Sequence, residues 1–177
     1  MQVRLLSNYP NWRHMAPVIY LPICLITYMV KSLIMPAEKN KVFIDTDAFV
    51  ALADKDDPHY HFACELNLLL ENGDYSAYTS NFTFGETVTV ISQNTSHTLA
   101  VAFGEKLLQS EIMIIDANRK QEILAMKIFA AAKSKNVRFT DFVNMVLMKE
   151  LDIATIFSFD RHYKLAGFTL LTPQTVL

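Results

Sequence analysis

Three features of the sequence predict an α/β fold, a mostly parallel sheet flanked by helices. From Lys41 onward, short apolar runs alternate with stretches of helical periodicity, the pattern of parallel strands joined by crossover helices. Acidic residues stand directly after two of those runs, at Asp45 and Asp160, and open α/β sheets hold their ligands at such strand ends. The composition of the 177 residues, 51% hydrophobic and 19% charged with four glycines and six prolines, is that of a packed domain and excludes disordered or collagen-like chains. The length suits one domain with an extension.

The elements follow in order. Strand one is expected at residues 41–44 and a helical start at 48–53. Asp57 and Pro58 read as an N-cap and a favoured first helical residue, opening a helix that reaches Asn72 and stops at Gly73. Residues 76–79 form strand two and 84–92 a helix, with Glu86 in about its first turn. Ser96 caps a further helix to Leu108, and strand three lies at 111–115. Helices at 118–133 and 141–151 come next, the latter with Thr140 as N-cap. Strand four at 155–158 and a short strand at 169–171 after Gly167 complete the domain. Phe62, Leu66, Leu69 and Leu70 have helical spacing and are assigned to core packing, with a groove for a protein partner as the alternative.

Residues 1–40 form an N-terminal extension to a domain at 41–177. Met15 to Val30 carries no formal charge and follows Arg4, Arg13 and His14. A spanning helix needs about 20 apolar residues; reaching that length crosses Lys31, and Pro17 and Pro22 each remove a helix hydrogen bond. A signal peptide lacks its small-x-small cleavage pattern before Lys39. Three readings stand: an upstream start codon with the working protein beginning at Met35, a membrane or export segment over about 15–35, or an ordered N-terminal helix. The first favours a cytoplasmic protein. Two distant cysteines, Cys24 and Cys64, exclude a disulfide scaffold or thiolate zinc site and fit a reducing compartment.

Four acids can share one rim of this scaffold. Asp45 and Asp160 end strands, Glu86 lies early in a helix, and Asp141 opens another. Singly, each reads as a turn residue or dipole partner; their joint placement is what points to chemistry. Crowded carboxylates repel and resist desolvation unless a cation offsets them. Oxygen ligands without histidine or cysteine suit Mg²⁺ or Mn²⁺ better than zinc. Such ions activate water and clamp a phosphodiester, which is nuclease chemistry.

The motifs VFIDTDAFVALAD at 42–54, GETVTV at 85–90 and FTDFVNMVLMKELDIATIFSFDRHYKLAGF at 139–168 resemble the PIN-domain ribonucleases, and among them the VapC toxins of bacterial toxin–antitoxin pairs. The resemblance implies a PIN-like three-layer sandwich. It also implies that Asp45, Glu86, Asp141 and Asp160 are catalytic and hold Mg²⁺ or Mn²⁺, that the substrate is single-stranded RNA or an RNA loop, and that the partners are an antitoxin and a second copy of the chain. Asp47 departs from the family pattern, which more often has Ser, Thr or Asn there.

Asp47 opens a rival reading, because a strand followed by Asp-x-Asp also resembles haloacid-dehalogenase phosphatases, with Asp45 as nucleophile and Asp47 as general acid. The later part of the chain fits that family less well, since strand four leads to a single Asp160. A catalytically silent PIN-like binding module is a third reading. The body's net charge of -5 disfavours nucleic acid at first sight, but -1 remains once the four proposed ligands are set aside. Lys133, Lys135 and Arg138 can guide phosphates or simply form a solvated loop. Thr46, Thr140 and Ser158 can support the ligands, a role favoured for Thr140. Asn144, one turn after Asp141, is a candidate for touching metal-bound water or substrate. Arg161 and His162 are read as orienting the loop or meeting phosphate, and His59 and His61 as helix surface.

Overall fold

A computed structural model describes residues 40–132 and 137–175. Residues 1–39 of the N-terminal extension, Lys133 and Lys135 lie outside the described residues, whereas Asn40, assigned to the extension, opens the first strand. Five strands, β1 (Asn40–Ile44), β2 (Tyr75–Ser80), β3 (Met113–Ile115), β4 (Thr155–Phe157) and β5 (Thr169–Leu170), form one sheet in the order β3-β2-β1-β4-β5. Every pair is parallel. The helices are α1 (Thr46–Ala53), α2 (Tyr60–Asn72), α3 (Asn81–Asn94), α4 (His97–Leu108), α5 (Arg119–Ala131), α6 (Phe139–Glu150) and α7 (Arg161–Leu165).

Strand alternation builds the layers. Val42 and Ile44 of β1 point to one face, where they pack with Ala48, Phe49, Ala63, Leu66 and Leu107 from α1, α2 and α4. Phe43 points to the other, against Phe142, Val146, Leu147 and Tyr163 from α6 and α7. Neighbouring β4 alternates the same way, Ile156 toward α6 and Phe157 toward α1. Each large apolar side chain removed from water in this way contributes about 1.5–3 kcal/mol. The two apolar layers on opposite faces make the three-layer α/β sandwich that the sequence predicts.

Strand order positions the site. The chain steps outward from β1 through β2 to β3, then returns to place β4 on the other side of β1. The reversal makes the carboxyl ends of β1 and β4 the switch point, where such sheets open a crevice.

Several element starts differ from the sequence expectations. Asp57 does not cap α2: its carboxylate accepts from the His59 N–H at 2.7 Å and holds a turn, so the helix begins at Tyr60. α1 begins at Thr46, directly after Asp45, and α3 begins at Asn81 because Ser80 accepts from the Thr83 N–H at 3.0 Å. Glu86 therefore sits in the second turn of α3. α6 begins at Phe139, which makes Thr140 its second residue and not its cap. The cap expected of Ser96 is present, its hydroxyl accepting from the Leu99 N–H, and Gly167 holds φ +93° just after α7. Gly73 ends α2 in extended backbone, and its role is close approach: a Cβ there would lie 2.9 Å from the Tyr75 ring. Leu66 and Leu70 are buried as expected, whereas Phe62 is 40% exposed. No helix among the described residues is long and apolar enough to cross a membrane.

Candidate active site

Residues 141–148 of α6 are all buried, and only two of them are polar: Asp141 and Asn144. Polar groups in so apolar a helix are costly unless they find partners, and both find them at the crevice. Asp141 sits in the first turn of α6 and accepts from the Arg138 backbone N–H at 2.7 Å, which satisfies a donor that the helix leaves unpaired. Its aspartate geometry is thereby fixed from its own helix. Asp45, directly after β1, is fixed from outside its element: Asn144 Nδ2 donates to its Oδ1 at 2.9 Å.

A cavity of about 180 Å³ at the switch point is lined by Asp45, Thr46, Asp47, Glu86, Arg138, Asp141 and Asp160. The structure thus brings together all four acids singled out in the sequence and adds Asp47 to them. Glu86 reaches in from α3, with Arg138 Nη1 donating to its Oε1 at 2.5 Å and Thr46 Oγ1 lying 3.4 Å from its Oε2. Asp160 caps α7, accepting from the His162 N–H at 2.8 Å, and its Oδ1 lies 2.6 Å from His162 Nδ1. Asp47 Oδ2 accepts from Ser158 Oγ at 2.9 Å and from the Phe159 N–H at 2.8 Å. Its Oδ1 is buried without a hydrogen-bond partner.

The electrostatics follow from this crowding. Burial, then the Asp47 and Asp141 charges, push the Asp45 carboxyl well above the ordinary range. Burial also raises Asp47, against the opposing pull of its Phe159 and Ser158 hydrogen bonds. Asp141 is pushed up to about 6, again first by burial and then by the neighbouring acids. These shifts follow from buried, crowded carboxylates whose charge Arg138 offsets only in part, and such perturbation concentrates at functional sites.

No group of three or more His, Cys, Asp or Glu side chains among the described residues is arranged to hold a metal ion as it stands. In this arrangement Arg138 and Thr46 engage Glu86, and His162 engages Asp160. Magnesium does not require such a set, because it commonly binds one or two carboxylates and completes its shell with waters and phosphate. An all-oxygen donor set, an orphaned buried Asp47 oxygen and mutually repelling carboxylates fit a hard divalent cation.

The auxiliary residues take different places from those expected. Asn144 is fully buried and is not among the residues that line the cavity. Instead Ser80 and Thr83 hydroxyls donate to its Oδ1 at 2.6 and 3.1 Å, and its Nδ2 holds Asp45. The opposite amide orientation would set a carbonyl oxygen against a carboxylate, so the network fixes the assignment. The Thr46 and Ser158 hydroxyls meet the acids directly, Thr46 at Glu86 and Ser158 at Asp47. Ser158 bridges the loop by donating to Asp47 and accepting from the Asp160 N–H at 3.1 Å. His59 is surface-exposed yet stacks on Phe159, with ring centroids 4.2 Å apart. Sequence reasoning missed Ser80, Thr83 and Tyr163, whose hydroxyl is 3.3 Å from Asn144 Nδ2. The only signal was Ser80-x-x-Thr83 at a helix start, which reads as a cap.

Comparison with known proteins matches residues 42–168 to the PIN domain family model. The 23S rRNA-specific endonuclease VapC20 of Mycobacterium tuberculosis is 24% identical over 133 residues, covering 75% of this chain and 99% of that protein. The crystal structure of that VapC20, described as a sarcin-ricin loop cleaving toxin, superposes with a TM-score of 0.69 at 23% identity, covering 75% of this chain and 99% of the other. VapBC2 from Rickettsia felis, bound to a promoter DNA fragment, gives a TM-score of 0.53 at 16% identity, with 74% and 97% covered. At these identities the structural likenesses show a shared fold.

Proposed function

The chain belongs to the PIN-domain family, and from that membership we propose that it is a metal-dependent endoribonuclease, the toxin of a toxin–antitoxin pair. The observation that carries this reading is the acid-lined cavity at the carboxyl ends of β1 and β4, where Asp45, Glu86, Asp141 and Asp160 converge. These four would hold the divalent cation, Mg²⁺ or Mn²⁺, with Asp47 as an auxiliary oxygen donor. When bound, the cation supplies a nucleophilic water and stabilises charge on the phosphoryl oxygens.

The chain's own residues prepare the rest. Asn144 orients Asp45 from below, and the Arg138 N–H orients Asp141. Ser158 ties the loop bearing Asp160 to Asp47, so two segments keep their spacing during turnover. The phosphatase reading is set aside because the family matched over residues 42–168 is the PIN domain.

VapC20 makes RNA carrying the sarcin-ricin loop the first substrate to try. The VapBC neighbours support an antitoxin partner, and an apolar groove of about 550 Å³ beside α5, α6 and α7, lined by Leu124, Ile128, Val137, Phe142, Met145 and Leu165, suits a protein contact. A homodimer and a cytoplasmic site of action complete the reading. The test is incubation of purified protein with RNA in Mg²⁺, in Mn²⁺ and in EDTA. Cleavage in either metal that stops in EDTA is expected; cleavage that persists in EDTA contradicts the metal role, and binding without cleavage in either metal indicates a silent module.

A further inference from the structure

Arg138 contributes the only basic side chain among the described residues that line the acid cavity. Its backbone and side chain face different tasks. The backbone N–H is committed to Asp141, so the residue's Cα is anchored at the site. The guanidinium, 62% exposed, is paired among the described residues only with Glu86 Oε1, and that carboxylate is 19% exposed. A long arm with a fixed root and a solvated tip can change partners at little cost, because rotating its side-chain torsions disturbs no packed element.

We propose that Arg138 is a phosphate-binding arm parked on Glu86. In the resting protein the guanidinium supplies the positive charge the acid cluster lacks; when the cation takes Glu86, the released guanidinium binds a phosphate of the RNA beside the cavity. This rests on the ribonuclease reading of the site. Arginine suits both stations, because its planar fork pairs with carboxylate and with phosphate alike. The arrangement couples the two ligands: whatever neutralises Glu86 increases the positive charge available to RNA, and RNA, by holding the arm away, favours cation entry.

The coupling is measurable without catalysis, through RNA binding in EDTA at low salt by the wild-type protein, Glu86→Gln, Arg138→Ala and the double variant. Glu86→Gln mimics the neutralised carboxylate and frees the arm. RNA affinity should rise about tenfold or more in Glu86→Gln, and that gain should shrink to about twofold or less when Arg138→Ala is also present. The slope of log affinity against log salt should steepen by about one in Glu86→Gln and return in the double variant. Thermal midpoints check that all four proteins are folded. An equal gain in both backgrounds means that only the field of Glu86 matters and overturns the proposal, as does an affinity that Arg138→Ala leaves unchanged in the Glu86→Gln protein. Wild-type cleavage of RNA in Mn²⁺, measured alongside, separates the two failures: cleavage with an additive cycle removes the parked arm alone, whereas neither binding nor cleavage removes the ribonuclease reading with it.

Discussion

Replacing Asn144 by alanine is expected to unseat Asp45 and destabilise the fold together. The side chain is fully buried and connects Asp45, Ser80, Thr83 and Tyr163. Without it the Ser80 and Thr83 hydroxyls still meet each other at 3.0 Å, so their loss is small. The larger loss is the donor to a buried carboxylate, about 1.5–3 kcal/mol. With the small cavity added, the total is on the order of 3 kcal/mol, a fall of roughly 10 °C in thermal midpoint for a domain of this size. The assay is urea unfolding in EDTA, paired with RNA cleavage in Mn²⁺ at a temperature where the variant remains folded; cleavage should fall further than the folded fraction explains. Asn144→Asp sharpens the test, because a second carboxylate against Asp45 offers no donor unless one of the pair is protonated. Its stability should be worst at neutral pH and partly regained below about pH 5. An unfolding free energy for Asn144→Ala within about 0.5 kcal/mol of wild type would refute the argument.

Three further outcomes follow from the same geometry. Asp141, raised to about 6, contributes stability that is complete below its ordinary value of 3.8 and lost as pH rises through about 6, so at pH 8 in EDTA its charge weakens the fold. Asp141→Asn keeps an acceptor for the Arg138 N–H and should raise the metal-free midpoint by a few degrees while abolishing cleavage; an unchanged or lower midpoint speaks against carboxylate repulsion. Asp47→Asn keeps an oxygen for the Phe159 N–H and should retain RNA cleavage within about tenfold, since an auxiliary donor contributes about one outer contact, and an inactive, folded variant would promote Asp47 to an essential ligand. A chain started at Met35 keeps every described element from Asn40 onward and should fold and cleave as the full chain does, checked by thermal midpoint and cleavage rate, with an unfolded or inactive product assigning residues 1–34 to the working domain.

How much of this was legible in the sequence depends on how local each cause is. Asp45 could be placed because a fully apolar run must be a buried strand, and the residue after it must emerge at the strand's end. Asp141 and Asn144 could be placed on one helix face from their spacing; that the face turns inward at Asn144 could not, because the partners Ser80 and Thr83 are more than sixty residues away. The start of α6 was misplaced for a physical reason. Asp141 closes back on the Arg138 N–H, so the acid at the third helical position does the capping and Thr140 is not needed for it. Asp57 shows the converse, a good cap residue used for a turn. The Arg138–Glu86 pair joins segments 52 residues apart and left no trace in spacing or composition.

The most direct test of the central claim is the rate of RNA cleavage by Asp45→Asn against wild type at saturating Mn²⁺. The substitution keeps the size of the side chain and an acceptor, and removes the charge at the most buried of the proposed ligands. A loss of at least about a hundredfold in a variant whose thermal midpoint in EDTA equals or exceeds that of wild type is the predicted result. Cleavage at the wild-type rate would contradict the assignment of this cavity as the catalytic centre.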